Sequence, residues 1–159
     1  MRFDLDRFTK AQDHDGAFAA ALEELRAGRK RGHWIWFVFP QLRGLGSSSM
    51  AERYGIDSFA EAVAYLQHPV LRSRLREATL AVHGHLAGHG VSLRHLMASH
   101  IDALKVVSSM TLFEQAARTV QATDPSPEVS ELASMAGEIL AIAHGQGYPR
   151  CHLTLAALG

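Results

Sequence analysis

Residues 34–40, WIWFVFP, decide the fold class of this 159-residue chain. Their aromatic and β-branched side chains favour a strand, and Pro40 disfavours a helical conformation at Phe39. Elsewhere the sequence shows no sustained alternation of apolar and polar residues, so a strand at this point would have no partner. We therefore interpret residues 34–39 as a helix buried in the core and predict an all-α fold.

Helical spacing of apolar residues extends in both directions from this block. Before it, the pattern predicts a helix over residues 3–12 with Asp4 as its N-cap, and a second over residues 17–27 that Gly28 ends. After it, helix signals recur as far as about residue 143. The later predicted helices cover residues 50–54, 59–66, 69–88, 92–97, 101–115 and 127–143. Together they predict one compact multihelical domain over residues 1–159, with central helices buried by the others.

The composition limits the class of protein. Hydrophobic residues make up 47% of the chain and charged residues 20%, which is typical of a globular domain. Sixteen basic residues balance sixteen acidic ones, so neither double-stranded nucleic acid nor a membrane surface is an expected partner. The longest apolar run is too short to span a bilayer, and the N-terminus lacks the apolar core of a signal peptide. We therefore expect a cytoplasmic protein.

Neither the single cysteine nor the ten histidines predict a metal site. One cysteine, Cys151, excludes an intramolecular disulfide and a multi-cysteine zinc site, and we interpret it as structural. His85 and His89 are one helical turn apart, but the glycines around them argue against a rigid set of ligands. We expect no metal and no cofactor.

The densest polar signal lies in residues 28–48, where a basic cluster enters the aromatic block and a glycine-rich turn leaves it. Aromatic rings supply stacking surface, and polar groups at their rim supply directed contacts to a ligand. Ser47 and Ser48 precede a predicted helix whose free N–H groups suit an anion; serines that only cap the helix are the alternative. The candidate ligand-binding residues in this segment are Arg29, Lys30, His33, Trp36, Gln41, Arg43, Ser47 and Ser48.

The two tryptophans of the block should face different surroundings. Trp34 and Trp36 are two residues apart and cannot share one face of a helix. Rings in such a block are more often core residues than ligand contacts, so we expect most of them in the interior. One tryptophan should nevertheless point away from the other, toward a cleft.

A second candidate segment covers residues 102–113. On a helix Asp102 neighbours Lys105, and Lys105 neighbours Ser109, so a lysine can lie beside a hydroxyl. A serine with a lysine base is a possible nucleophile if the lysine is buried enough to lose its proton; an exposed Asp–Lys pair is the alternative. The candidate catalytic residues are His33, Lys105 and Ser109, and Lys105 is also a candidate ligand-binding residue.

At these residues the chain resembles the DUF1810 or Rv1873-like family of small bacterial proteins of unknown function. The similarity spans nearly the whole chain and is most specific around residues 33–34 and 39–41. It implies a multihelical domain whose central helices are buried by the others, and it brings no established activity. The sequence departs from the family's pattern at residues 98–100, where Ala-Ser-His replaces a phenylalanine-glycine loop. Other matching stretches are residues 3–8, 24–32, 54–56, 64–68, 108–113 and 154–155.

These features lead to the hypothesis of a small-molecule-binding protein, with or without catalysis. Its basic, aromatic-lined pocket would lie between residues 30–48 and 105–113 and accept an anionic or phosphate-bearing ligand. The hypothesis fails if Lys30 or Arg43 lies more than about 15 Å from Lys105. The alternative is a non-catalytic module that docks a protein or single-stranded nucleic acid through the basic cluster of residues 26–31 and exposed aromatic rings.

Overall fold

The computed structural model describes residues 2–158, and in that range every regular element is helical. The predicted all-α fold is therefore confirmed. The α-helices are α1 (Asp6–Asp13), α2 (Ala17–Ala27), α3 (Ile35–Val38), α4 (Ser49–Arg53), α5 (Phe59–Gln67), α6 (Pro69–His89), α7 (Leu93–Met97), α8 (His100–Thr123), α9 (Pro127–Gly145) and α10 (His152–Leu158). A 3₁₀ turn, His14–Gly16, joins α1 to α2. Across residues 2–158, no helix has both the length and the apolar content needed to cross a bilayer.

The longest helix, α8, forms the centre of the molecule. Thirteen of its residues are buried, and residues 106–114 are buried without interruption. Helices α3, α5, α7, α9 and α10 all pack against it, while α6 packs on α9. The prediction that this helix ends near residue 115 is wrong, because Ala116, Ala117 and Val120 continue its buried face. The buried central helix matches the architecture that the sequence predicts.

The aromatic block folds as a buried helix, α3, as predicted. Ile35, Phe37 and Val38 are buried, and so is Phe39, which follows the helix. The helix is a single turn because Phe39, at φ −123° and ψ 74°, leaves the helical conformation before Pro40. A side-chain amide from α1 then satisfies the carbonyl group of Phe37.

The segment after α3 is held against the start of α5. The Arg43 amide donates to the Ile56 carbonyl over 2.8 Å, and the Ile56 amide donates to the Gln41 carbonyl over 2.9 Å. These two bonds form an isolated parallel bridge. Gly55 permits the close approach, since a Cβ there would lie 2.7 Å from the Cα of Arg43. The bridge fixes where residues 41–48 lie relative to α8.

Serine caps confirm most of the predicted helix starts. Ser58 accepts a hydrogen bond from the Glu61 amide at the start of α5, and Ser126 caps α9 in the same way. Asp4 is not a cap, because α1 begins at Asp6 with Leu5 in the N-cap position and no side-chain bond. The end of α6 is also displaced, since Gly90 rather than Gly88 adopts the left-handed cap conformation.

The last helix, α10, is absent from the sequence prediction. It lacks the stripe of buried apolar residues that marks the other helices: Leu153 is 69% exposed and Leu155 is 37% exposed. Thr154 is its one buried residue. The helix is therefore formed against α8 by tertiary packing rather than by an amphipathic pattern.

Ala98 ends α7 in a conformation that favours glycine. Its φ is 63°, in the left-handed region, where a Cβ crowds the following carbonyl oxygen. This residue lies in the short segment where the sequence departs from the family's phenylalanine-glycine pattern. Ala98 forms this turn, and Ser99 then caps α8.

Candidate functional site

Residues 30 and 105 meet at one carboxylate, that of Asp102. The Nζ atom of Lys30 lies 2.9 Å from Asp102 Oδ2, and the Nζ atom of Lys105 lies 3.8 Å from Asp102 Oδ1. We call these three residues the lysine–aspartate–lysine cluster. The two candidate segments therefore meet in space, as a shared pocket requires.

The two lysines of the cluster differ in exposure. The side chain of Lys30 is 6% exposed, donates a hydrogen bond to the Gly32 carbonyl and lies over the Trp34 ring. That of Lys105 is 18% exposed and lies 5.1 Å from the centre of the Trp36 ring. Two ammonium groups and one carboxylate leave a net charge of +1. Since the shorter contact belongs to Lys30, the unbalanced charge lies on the more exposed Lys105.

Lys105 lines a cleft of about 460 Å³, which we call the Lys105 cleft. Four of the predicted ligand-binding residues line it: Gln41, Ser47, Ser48 and Lys105. Behind it lies a cavity of about 10 Å³, roughly the size of one water molecule. Trp36 lines this cavity, which shares Gln41 and Lys105 with the cleft.

The indole N–H of Trp36 is buried and has no acceptor among residues 2–158. A buried donor without a partner costs about 1–3 kcal/mol, so an acceptor placed in the adjoining cavity would be stabilising. Trp34 differs, because its indole N–H donates to Glu24 Oε1 over 3.0 Å. The two tryptophans thus differ, because the Trp34 indole N–H has an acceptor whereas Trp36 lines the small cavity that adjoins the Lys105 cleft.

Glu24 organises the loop that carries Lys30. Its Oε1 atom accepts hydrogen bonds from the amides of Arg31 and Gly32, over 2.6 and 2.8 Å, and from the Trp34 indole. Burial by itself raises the pKa of Glu24, but these donors and the nearby charge of Lys30 outweigh burial and lower the pKa. The sequence gives no sign of this role, since an acid on an amphipathic helix resembles a surface residue.

Cys151 lies in the wall of the Lys105 cleft, immediately before α10. Burial by itself raises the pKa of its thiol, but hydrogen bonds from the Ser108 hydroxyl and from backbone N–H groups of α10 outweigh burial and lower the pKa. A lowered pKa gives more thiolate, the nucleophilic form, at neutral pH. The sequence does not reveal this placement, because only the packing of α10 on α8 brings Cys151 into the wall of the cleft.

Lys30, a predicted ligand-binding residue, is buried against Asp102 and does not line the cleft, and the other three predicted cations also lie outside it. Arg29 lines a shallow depression beside α7, and His33 is exposed on the loop before α3. Arg43 pairs with Asp57 over 2.6 Å, on the far side of the bridge to α5. Their positions correct the predicted site, because exposed side chains on separate surfaces cannot orient one small anion together.

The serine hydroxyl groups of the two candidate segments lie in different surroundings. Ser109 is fully buried and its Oγ atom has no partner within residues 2–158, whereas its neighbour Ser108 lines the cleft. A substrate in the cleft would therefore meet Ser108 and not the predicted Ser109. Ser48 accepts a hydrogen bond from the Ala51 amide and caps α4, and this is the capping alternative rather than a free anion site. Ser47 is exposed at the cleft.

A larger cleft, of about 800 Å³, lies on another part of the surface, between α1 and α4. Arg7, Lys10 and Arg53 line it, together with apolar and aromatic side chains. Arg7 is already paired with Glu61 over 2.8 Å, and Lys10 and Arg53 are exposed, so water solvates their charges. We favour the Lys105 cleft because it contains a partly buried cation and adjoins a small cavity lined by Trp36, whose buried indole N–H lacks an acceptor.

The histidines do not form a metal centre in the part of the chain that the structure describes. Over residues 2–158, no group of three His, Cys, Asp or Glu side chains is arranged to hold a metal ion. The rings of His85 and His89 are 5.7 Å apart, and the Nε2 atom of His85 is hydrogen-bonded to the Arg26 carbonyl. That nitrogen is thereby engaged within the protein.

The chain is similar to proteins whose function is unknown. A family model described as "Protein of unknown function (DUF1810)" matches residues 2–125, from α1 to the end of α8. Among solved structures, the chain is similar to the conserved hypothetical protein Rv1873 from Mycobacterium tuberculosis. The two are 45% identical with a TM-score of 0.78, over 97% of this chain and 95% of that one. No curated protein sequence matches the chain.

Proposed function

The chain belongs to the DUF1810 family, whose description gives no activity, and we propose that it binds an anionic, phosphate-bearing small molecule in the Lys105 cleft. The observation that carries this proposal is the lysine–aspartate–lysine cluster. Its one carboxylate is committed to the buried Lys30, and its unbalanced positive charge lies on Lys105. A partly buried cation of this kind attracts an anion more strongly than a fully solvated one does.

The two lysine contacts of Asp102 differ in strength, so a bound anion should replace only one of them. Unit charges 4 Å apart attract by about 4 kcal/mol at an effective dielectric constant of 20, and a shorter separation attracts more. The contact of Lys30 with Asp102 is 2.9 Å and that of Lys105 is 3.8 Å. An anion at hydrogen-bond distance from Lys105 would therefore replace the weaker contact and leave the stronger one in place.

Neutral groups around Lys105 suit a phosphate. The Trp36 indole lacks an acceptor, and the Gln41 amide lines both the cleft and the small cavity behind it. A phosphate oxygen in that cavity would give the indole its partner. The volume of about 460 Å³ falls in the range usual for small-molecule sites.

A thermal-shift and calorimetric screen tests the proposal. The probes are inorganic phosphate, nucleotides, sugar phosphates and small carboxylates, and the variants are Lys105→Gln and the matched control Arg43→Gln. A ligand at a hundred times its Kd adds about 2.7 kcal/mol, which is a shift of several degrees for a domain of this size. We expect the shift to be lost in Lys105→Gln and kept in Arg43→Gln. Equal binding by Lys105→Gln and the wild type would reject the site.

We propose binding without naming a reaction. Of the three catalytic candidates, His33 and Ser109 do not line the cleft, and Lys105 lines it together with Cys151. We also propose a cytoplasmic location, because a chain with one cysteine has no use for an oxidising compartment.

One observation favours the second hypothesis, a protein- or nucleic-acid-docking module. Arg26, Arg29 and Arg31 are exposed around the loop between α2 and α3. Stacking of bases is less well supported, because Trp34 is only 4% exposed. Salt-dependent binding of a fluorescent single-stranded oligonucleotide, lost in Arg29→Gln, would favour the docking module over the small-molecule site.

A further inference from the structure

The mouth of the Lys105 cleft is apolar. Six large hydrophobic side chains are exposed among residues 2–158, and three of them line this one cleft. They are Ile101 and Leu104 on α8, which are 64% and 44% exposed, and Leu153 on α10, which is 69% exposed. Exposed apolar side chains gathered at one concavity mark a binding surface more often than scattered ones do.

These apolar side chains adjoin the charged part of the cleft. Ile101, Leu104, Lys105 and Ser108 all line it and have the spacing of one helical face. Exposure along this face falls from 64% at Ile101 to 8% at Ser108. The cleft therefore passes from an apolar, solvent-exposed mouth to a cationic interior.

We infer that the ligand of the Lys105 cleft is an amphipathic anion, with an acidic head group at Lys105 and an aliphatic or aromatic body over Ile101, Leu104 and Leu153. This inference rests on the proposed function and narrows its ligand class. A purely hydrophilic anion would satisfy Lys105 but would leave the three apolar side chains in water. An apolar body attached to the head group gains free energy from covering them.

The test is a calorimetric titration with inorganic phosphate and a series of n-alkyl phosphates from methyl to hexyl. Each methylene that is buried is worth about 0.8 kcal/mol, so Kd should fall about fourfold per methylene until the chain extends beyond the mouth. Leu153→Ser and Ile101→Ser should weaken the dependence of Kd on alkyl chain length and leave the Kd of inorganic phosphate unchanged. Both side chains are exposed, so these variants should fold. Leu80→Ser, at an exposed leucine on α6 outside the cleft, is the control and should keep the full dependence.

The outcomes separate the two proposals. If inorganic phosphate binds through Lys105 but Kd does not change with chain length, the amphipathic ligand is rejected and the anion site stands. If the folded wild type binds no member of the series, both are rejected. Sedimentation is the third measurement. A wild-type dimer that Leu153→Ser dissociates would show that a second copy of the chain covers the mouth of the cleft. That result would also overturn the inference.

Discussion

Replacing Asp102 by asparagine should destabilise the protein more than replacing either lysine of its cluster. The substitution removes the carboxylate that pairs with the Lys30 ammonium, which is 6% exposed, and leaves it the Gly32 carbonyl, the Trp34 ring and the more distant charge of Glu24. Removing one partner of a buried ion pair costs about 3–5 kcal/mol, because the other charge remains buried. For a domain of this size we expect Tm to fall by roughly 6–20 °C.

Lys30→Met is the matched comparison. It removes the buried charge and keeps a long apolar side chain, while Asp102 is 18% exposed and still has Lys105 beside it. We expect this variant to lose less than about 2 kcal/mol, and the double variant Lys30→Met/Asp102→Leu to recover much of the loss from Asp102→Asn. Urea denaturation followed by circular dichroism measures all three free energies of unfolding. A loss below about 1 kcal/mol in Asp102→Asn, or a larger loss in Lys30→Met, would refute the assignment of Asp102 as the counter-ion of Lys30.

Three further predictions concern single positions. Ala98→Gly should raise the free energy of unfolding by about 1 kcal/mol, because φ of 63° strains alanine; calorimetry that finds no gain would contradict this. Because the pKa of Glu24 is lowered in the folded protein, its ionised carboxylate stabilises the fold at pH values above the usual carboxyl pKa. This stabilisation is lost as the pH falls through the folded-state pKa of Glu24. Acid titration of tryptophan fluorescence should show this loss, and Glu24→Gln should remove it. The lowered pKa of Cys151 should make its alkylation by iodoacetamide at pH 7 faster than that of an unstructured thiol, and a bound phosphate ligand should slow the reaction. An alkylation rate that matches the urea-unfolded protein would reject the prediction.

Much of the fold follows from local sequence, because helix period, serine caps and Pro40 act over a few residues. The buried helix α3, which lies within residues 34–39, could be predicted in this way. The full length of α8 could not, since residues 106–114 are buried without interruption and show no amphipathic stripe that leads on to Ala116, Ala117 and Val120. The last helix was missed for the opposite reason, because Leu153 and Leu155 face solvent.

The site was predictable only where contacts are local. The helical spacing of Asp102 and Lys105 correctly predicts that they are neighbours. The stronger partner of Asp102 is Lys30, from a distant part of the chain, and only the packing of the loop before α3 on α8 brings the two together. The choice between Ser108 and Ser109 depends on the rotation of α8 about its own axis, which the other helices set.

The helix that fills the interior also supplies the floor of the Lys105 cleft. Each buried position on α8 is constrained by neighbours on several sides, so most substitutions there lower stability before they can change what the cleft accepts. During evolution, a relative would therefore acquire a different ligand more easily through residues 45–48 and the segment that carries Cys151 and Leu153, which line the cleft outside α8. Sequence divergence among relatives with different ligands should concentrate in those two segments.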